Sequence, residues 1–178
     1  MIIDIHGHLG NINFAPFWQA DAEKLEEYCR QSGVDRLCLS SSRAIMYDVR
    51  EGNAELDLAL TQSEKLLGYV VVNPLFSESL GDMELLKTNK KFRGVKIHPD
   101  YHGYVLSTPS NRRWIEAIAD KTPMMLFHVS CMPGTGFSPA LTVAEIAKNH
   151  PQTKFVLAHM AGIYQNGNYP YFPNMDSL

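Results

Sequence analysis

Cysteine is scarce in this chain and carries no pattern. Cys29, Cys38 and Cys131 make an odd count, lie far apart and contain no CxxC pair, which fits reduced thiols in a cytoplasmic protein rather than a disulfide framework. Long apolar runs are missing as well. No stretch approaches a membrane span, and the opening Met1-Ile2-Ile3-Asp4-Ile5-His6 has neither the basic start nor the apolar centre of a signal peptide, so neither feature is expected. Positive charge is not in excess: 16 Lys and Arg against 19 Asp and Glu leave a net charge of −3, which disfavours nucleic acid as the main partner. No GxGxxG follows the first apolar run, which disfavours a redox or nucleotide-binding α/β protein. Low-complexity segments, repeats and linkers are equally absent. The 178 residues, 45% hydrophobic and 20% charged, are therefore expected to form a single domain over 1–178 with a sizeable core.

What is present is an alternation of short apolar runs and amphipathic stretches. Ile2–Ile5, Arg36–Ser40, Leu67–Val72, Phe92–Ile97, Met124–His128 and Lys154–Ala158 are apolar nearly throughout, as parallel strands covered by helices are. Between them, Asp21 can cap a helix that buries Leu25, Tyr28 and Cys29 and ends at Gly33. Glu51–Ser63 repeats Leu56, Ala59 and Leu60 at helical spacing; Leu80, Met83 and Leu86 form a third stripe, and Trp114, Ile115 and Ile118 a fourth. Ser138-Pro139 resembles an N-cap followed by a first-turn proline, opening a fifth helix through Val143 and Ile146. Strand followed by helix, again and again, predicts right-handed βαβ units and a parallel sheet, hence an α/β fold. Residues 160–178, rich in Gly, Asn, Tyr and Pro and without apolar period, are expected to form a long loop or tail.

Five of the seven histidines fall at or just past the ends of these predicted strands, the edge where parallel α/β folds bind ligands. His6 and His8 form an HxH pair closing the first strand. Residues two apart on a strand share a face, so both imidazoles can reach one ion, with Asp4 on the same face below them. His98 ends the fourth strand, His128 the fifth and His159 the sixth. Neutral imidazole suits Zn²⁺ and its neighbours, and a catalytic site typically keeps one position open beside three protein ligands. One strand-end histidine alone is more often a hydrogen-bonded structural residue; four such junctions in succession are hard to assign to chance. His102 and His150 are expected on the surface.

Asp4-Ile5-His6-Gly7-His8, Gly94-Val95-Lys96-Ile97-His98-Pro99, Phe127-His128 and Leu157-Ala158-His159-Met160-Ala161-Gly162 occur in the order seen in the amidohydrolase-related family, which the chain resembles up to Gly162. The resemblance implies a metal-dependent TIM-type (β/α) barrel, incomplete here with about six of eight βα units, and a hydrolase or decarboxylase activity. It implies His6, His8 and His128 as ligands of a divalent metal, most simply one zinc ion, and His159 as the residue that assists proton transfer beside the metal-bound water. TatD-type nucleases share the HxH opening but usually carry a glutamate where Lys96-Ile97-His98-Pro99 stands. Some relatives carbamylate a strand-four lysine to bridge two metals; the KxHP-like sequence favours a single-metal site in which Lys96 and His98 line the pocket.

The expected substrate is a small organic molecule, cleaved at a C–N or C–O bond by activated water, or decarboxylated. Asn11, Asn13, Phe14, Phe17 and Trp18 could form pocket walls, and Arg43 is a candidate carboxylate clamp; for each, plain loop packing is the competing role. Pro133-Gly134-Thr135-Gly136 lacks a following lysine and is more simply a turn than a phosphate loop. The family's closing aspartate after strand eight has no counterpart, Asp176 being the only acidic residue of the tail. A barrel with fewer strands than eight leaves edges to cover, which predicts a homo-oligomer. The alternative is a catalytically impaired barrel that keeps its metal-binding histidines without turnover.

Overall fold

The computed structural model describes residues 1–12, 20–129 and 136–161, together with Met175 and Leu178. Trp18, Asn13, Phe14, Phe17, Cys131, residues 133–135 and nearly all of the tail lie outside the described residues. The strands follow chain order, β1-β2-β3-β4-β5-β6, every pair being parallel where its register is recorded. This is the α/β arrangement of an incomplete (β/α) barrel. The chain divides into two compact units, Met1–Gly94 and Val95–Leu178.

In the first unit, β1 (Ile3–Leu9), β2 (Arg36–Ser41) and β3 (Leu66–Val71) carry helices between them, and β4 (Phe92–Ile97) begins. Helix α1 (Ala22–Ser32) starts where Asp21 accepts from the Lys24 backbone N–H at 2.9 Å and stops at Gly33, whose φ of 73° is left-handed. After β2 the chain makes α2 (Ser42–Met46), which sequence periodicity does not signal, and then α3 (Val49–Gln62), capped by Asp48. The stripe Leu80, Met83, Leu86 belongs to a 3-10 segment, Ser77–Glu84, and a single turn, α4 (Leu85–Thr88), rather than to one continuous helix. The core is apolar: Leu37, Leu39, Leu56, Leu60, Leu66, Val70 and Val71 are all buried.

β1 departs from expectation in a way that matters for its histidines. It runs past the HxH pair instead of closing at it, and its register with β2 shifts: Asp4 is opposite Leu37 and Gly7 opposite Leu39, so β1 uses one residue more than β2 over this stretch. Such a bulge breaks the two-residue alternation. Asp4 therefore shares a face with Gly7, while His8 sits beside Ser40 on the other face, so Asp4 is not below His8. Its carboxylate instead accepts from the His6 backbone N–H at 3.0 Å. A side chain at position 7 would press on Leu39 Cδ2 at 2.8 Å, which accounts for the glycine inside the HxH motif.

In the second unit, the end of β4 pairs with β5 (Met124–Phe127), and β5 with β6 (Lys154–Leu157). Helix α5 (Pro99–His102) follows β4 directly, α6 (Pro109–Ala119) precedes β5, and α7 (Ala140–Asn149) precedes β6. Pro139 occupies the N-cap of α7 itself, one place earlier than expected, and Ser138 makes no cap hydrogen bond. His150, expected on the surface, is buried at the end of α7 with Nδ1 2.9 Å from an Asp120 carboxylate oxygen. Among the described residues, no helix is long and apolar enough to cross a membrane.

Candidate active site

The described residues bring one polar cluster together at the ends of β4, β5 and β6. His98 stands between β4 and α5, and its Nδ1 accepts from the Tyr101 backbone N–H at 3.3 Å, capping the short helix. His128 follows β5 and is fixed from behind, its backbone N–H donating to the Ile97 carbonyl at 3.0 Å. The two imidazoles are buried and stacked, 4.0 Å between centroids and 14° between planes. Asp100, at the second position of α5, completes a trio: one ligand atom each from His98, Asp100 and His128 lies within 4.8 Å of the others. Nitrogen and carboxylate donors in this mixture suit a divalent transition metal, so the residues present fit such an ion. Because the rings are nearly parallel, sharing one ion between them requires them to splay.

His159 joins the cluster from β6, its Nε2 3.1 Å from His128 Nδ1. Burial, and then the charge of Lys96, lower its pKa from the usual histidine value. Lys96 is itself completely buried in β4, and loss of solvation pulls its pKa down to about 7. His102, expected on the surface, is only half-buried, with its ring 6.4 Å from those of His98 and Tyr104.

The first unit holds the HxH pair. His6 and His8 have ring centroids 5.2 Å apart, edge to face, and His8 Nδ1 lies 3.3 Å from Ser40 Oγ. Arg43, on α2 rather than in a loop, forms an ion pair with Glu51, and both side chains are exposed. Of the residues singled out by sequence, then, Lys96, His98, His128 and His159 lie together within the second unit, and His6 and His8 together within the first. Asp100 is the residue that strand-end histidine counting passes over. Its signal is the string His98-Pro99-Asp100: proline favours the first turn of a helix and an acid is favoured beside it, which pins a carboxylate next to a strand-end imidazole.

The amidohydrolase family model matches residues 3–175. The chain belongs to the amidohydrolase family. Solved structures agree at the level of fold. A probable 2-pyrone-4,6-dicarboxylic acid hydrolase from Acinetobacter baumannii, with citric acid bound, aligns with a TM-score of 0.54 at 15% identity over 88% of this chain and 56% of its own. The 5-carboxyvanillate decarboxylase of Sphingomonas paucimobilis gives 0.63 at 14% identity over 90% and 68%. Its counterpart from Novosphingobium aromaticivorans, with bound manganese, gives 0.62 at 14% over 90% and 66%. The chain thus spans between 56% and 68% of the length of these amidohydrolase-type structures. No curated protein matches it.

Proposed function

We propose that this amidohydrolase-family chain acts on a small carboxylic acid, hydrolysing a C–N or C–O bond or removing carbon dioxide, with one bound divalent metal, zinc by the chemistry of its donors. The observation that carries this is the composition of the second unit's cluster. Lys96, His98, Asp100, His128 and His159 lie in one neighbourhood, which joins metal donors to buried groups that can exchange protons. The similar structures named above include a probable dicarboxylic acid hydrolase and two carboxyvanillate decarboxylases, which supports a carboxylic acid as the substrate.

When bound, the ion supplies a Lewis acid and a nucleophilic water at neutral pH. The protein's own part is to hold, orient and move protons. The family motif supplies His6, His8 and His128 as ligands; His98 and Asp100 stand beside His128 as local donors. His159 is the general acid/base, its pKa lowered by burial and by Lys96, which favours the neutral imidazole that can accept a proton. Lys96 and His98 line the substrate position, and Arg43 and Trp18 are the remaining candidate contacts. The isoleucine-rich outer edge of β1 supports a homo-oligomer, and reduced Cys29 and Cys38 support a cytoplasmic setting.

Elemental analysis of protein purified without chelators tests the metal, with about one zinc per chain expected. His128→Ala is expected to abolish retention; comparing His6→Ala with Asp100→Asn shows which further donors matter. Protein that neither retains zinc or manganese nor takes it up on addition ends the metal assignment. Release of carbon dioxide or of a hydrolysed acid from small carboxylates tests turnover; a loaded protein inactive on all of them is a binding domain only.

A further inference from the structure

The buried threonines of the second unit satisfy their hydroxyls on the backbone. Thr122 Oγ1 donates to the Met124 carbonyl at 3.0 Å, and Thr153 Oγ1 to that of Ala119 at 2.7 Å. Tyr104 breaks this pattern. It is only 3% exposed, yet its phenolic oxygen has no hydrogen-bond partner among the described residues, a condition it shares with Ser138 Oγ. A hydroxyl withdrawn from water and left unpaired lowers stability, and such groups are uncommon in folded proteins. Of the two, Tyr104 is the one beside the candidate site. Its ring lies 6.4 Å from that of His102 at 28°, and His102 is 6.4 Å from His98 on the other side.

The phenol is held firmly. Its backbone N–H donates to the Pro99 carbonyl at 3.2 Å, directly after the left-handed Gly103 that ends α5. Two residues on, buried Leu106 donates its N–H to the Phe137 carbonyl at 2.7 Å. Burial, and then the charge of Asp100, push the phenol's pKa well above the usual tyrosine value, so the group keeps its proton and remains a donor. We propose that Tyr104 is a substrate-binding residue of the candidate active site, its hydroxyl donating to an oxygen of the bound acid. The proposal rests on the carboxylic-acid reading above. A phenol carries a single proton, so what the group lacks is an acceptor, and a small carboxylic acid brings acceptor oxygens. The unpaired hydroxyl thus costs the free protein stability, and the same group contributes affinity once an acceptor arrives. A site built around such a donor also disfavours analogues that lack the matching oxygen.

One substitution separates the free state from the bound one, because Tyr104→Phe removes the oxygen and keeps the ring. In ligand-free protein, chemical denaturation is expected to place the variant's midpoint at or above that of the parent, as loss of an unpaired hydroxyl dictates. A midpoint below the parent's would mean that the hydroxyl is already paired within the folded chain, and overturns the proposal. Calorimetric titration with citrate, benzoate and isophthalate is expected to show binding by the parent that weakens about 10–100-fold in Tyr104→Phe, the usual range for a hydrogen bond to a charged group. Equal affinity in the two proteins overturns the Tyr104 contact and leaves the carboxylic-acid reading standing. A parent protein that binds none of the three acids ends that reading, and the contact falls with it.

Discussion

Cys38 illustrates how a single residue ties burial to pH. It lies inside β2, and desolvation pushes its thiol up to about 11, against which a hydrogen bond with the Tyr69 hydroxyl works only partly. Tyr69 is held in turn by donating its hydroxyl proton to the Ile5 carbonyl at 3.0 Å. An unfolded cysteine ionises near pH 8.5. Between that value and about 11 the folded chain keeps a proton that the unfolded chain gives up, so this contribution is intact below the window and is lost as pH rises through it. Thermal unfolding of the parent and of Cys38→Ala should therefore converge as pH is raised from 8 towards 11. Equal separation of the two melting curves across that range would count against a buried, protonated thiol. The same burial predicts slow alkylation of Cys38 until the protein unfolds. Residue by residue, the site was only partly readable. His98, His128 and His159 could be found because each ends an apolar run. Asp100 could not, because its importance depends on a four-residue helix turning it back towards His128. Asp4 was misplaced because a bulge, not composition, sets which face it takes.

Among elements, the pair α2 and α3 shows packing tight enough to constrain sequence. Gly52 lies in the first turns of α3, and a Cβ there would stand 2.1 Å from the backbone nitrogen of Ala44 and 2.6 Å from its Cα. Backbone atoms cannot rotate aside as a side-chain tip can, so one helix must move. That motion would disturb Ala44 and Ile45, which are buried together with Val71 of β3. Gly52→Ala should destabilise the fold by about 3 kcal/mol, beyond the usual cost of overpacking by one methyl, although alanine is the better helix former. A chemical denaturation midpoint equal to or above that of the parent would show that α2 yields freely. Element existence was legible wherever an apolar run or stripe was long: β4 spans the residues expected of it, and Asp21 and Gly33 bound α1 as their chemistry dictates. Short elements were not. α2 and α5 have too few turns to show a period, and the stripe through Leu80, Met83 and Leu86 could not distinguish a 3-10 segment from an α-helix.

For the whole molecule, the strand order β1 to β6 leaves β1 with β2 as its only hydrogen-bonded neighbour among the described residues. Along that edge strand and the residues leading into it, Ile2, Ile3 and Ile5 are 58%, 45% and 43% exposed. A strand edge with free backbone groups and branched apolar side chains is a ready surface for pairing, and soluble proteins ordinarily blunt such edges with charge or cover them. No lysine or arginine stands on β1; its only formal charge, Asp4, is turned to the His6 backbone N–H. Association of copies through this edge would bury the isoleucines. Light scattering coupled to gel filtration should accordingly report a mass above the 20.0 kDa of one chain, rising with concentration. Ile3→Lys places a charge where the neighbouring strand would have to pack, and should return the mass to that of one chain while leaving the circular dichroism spectrum unchanged. A parent protein that elutes as a single chain at every concentration would mean that the edge is tolerated in water, and the homo-oligomer would be ruled out with it.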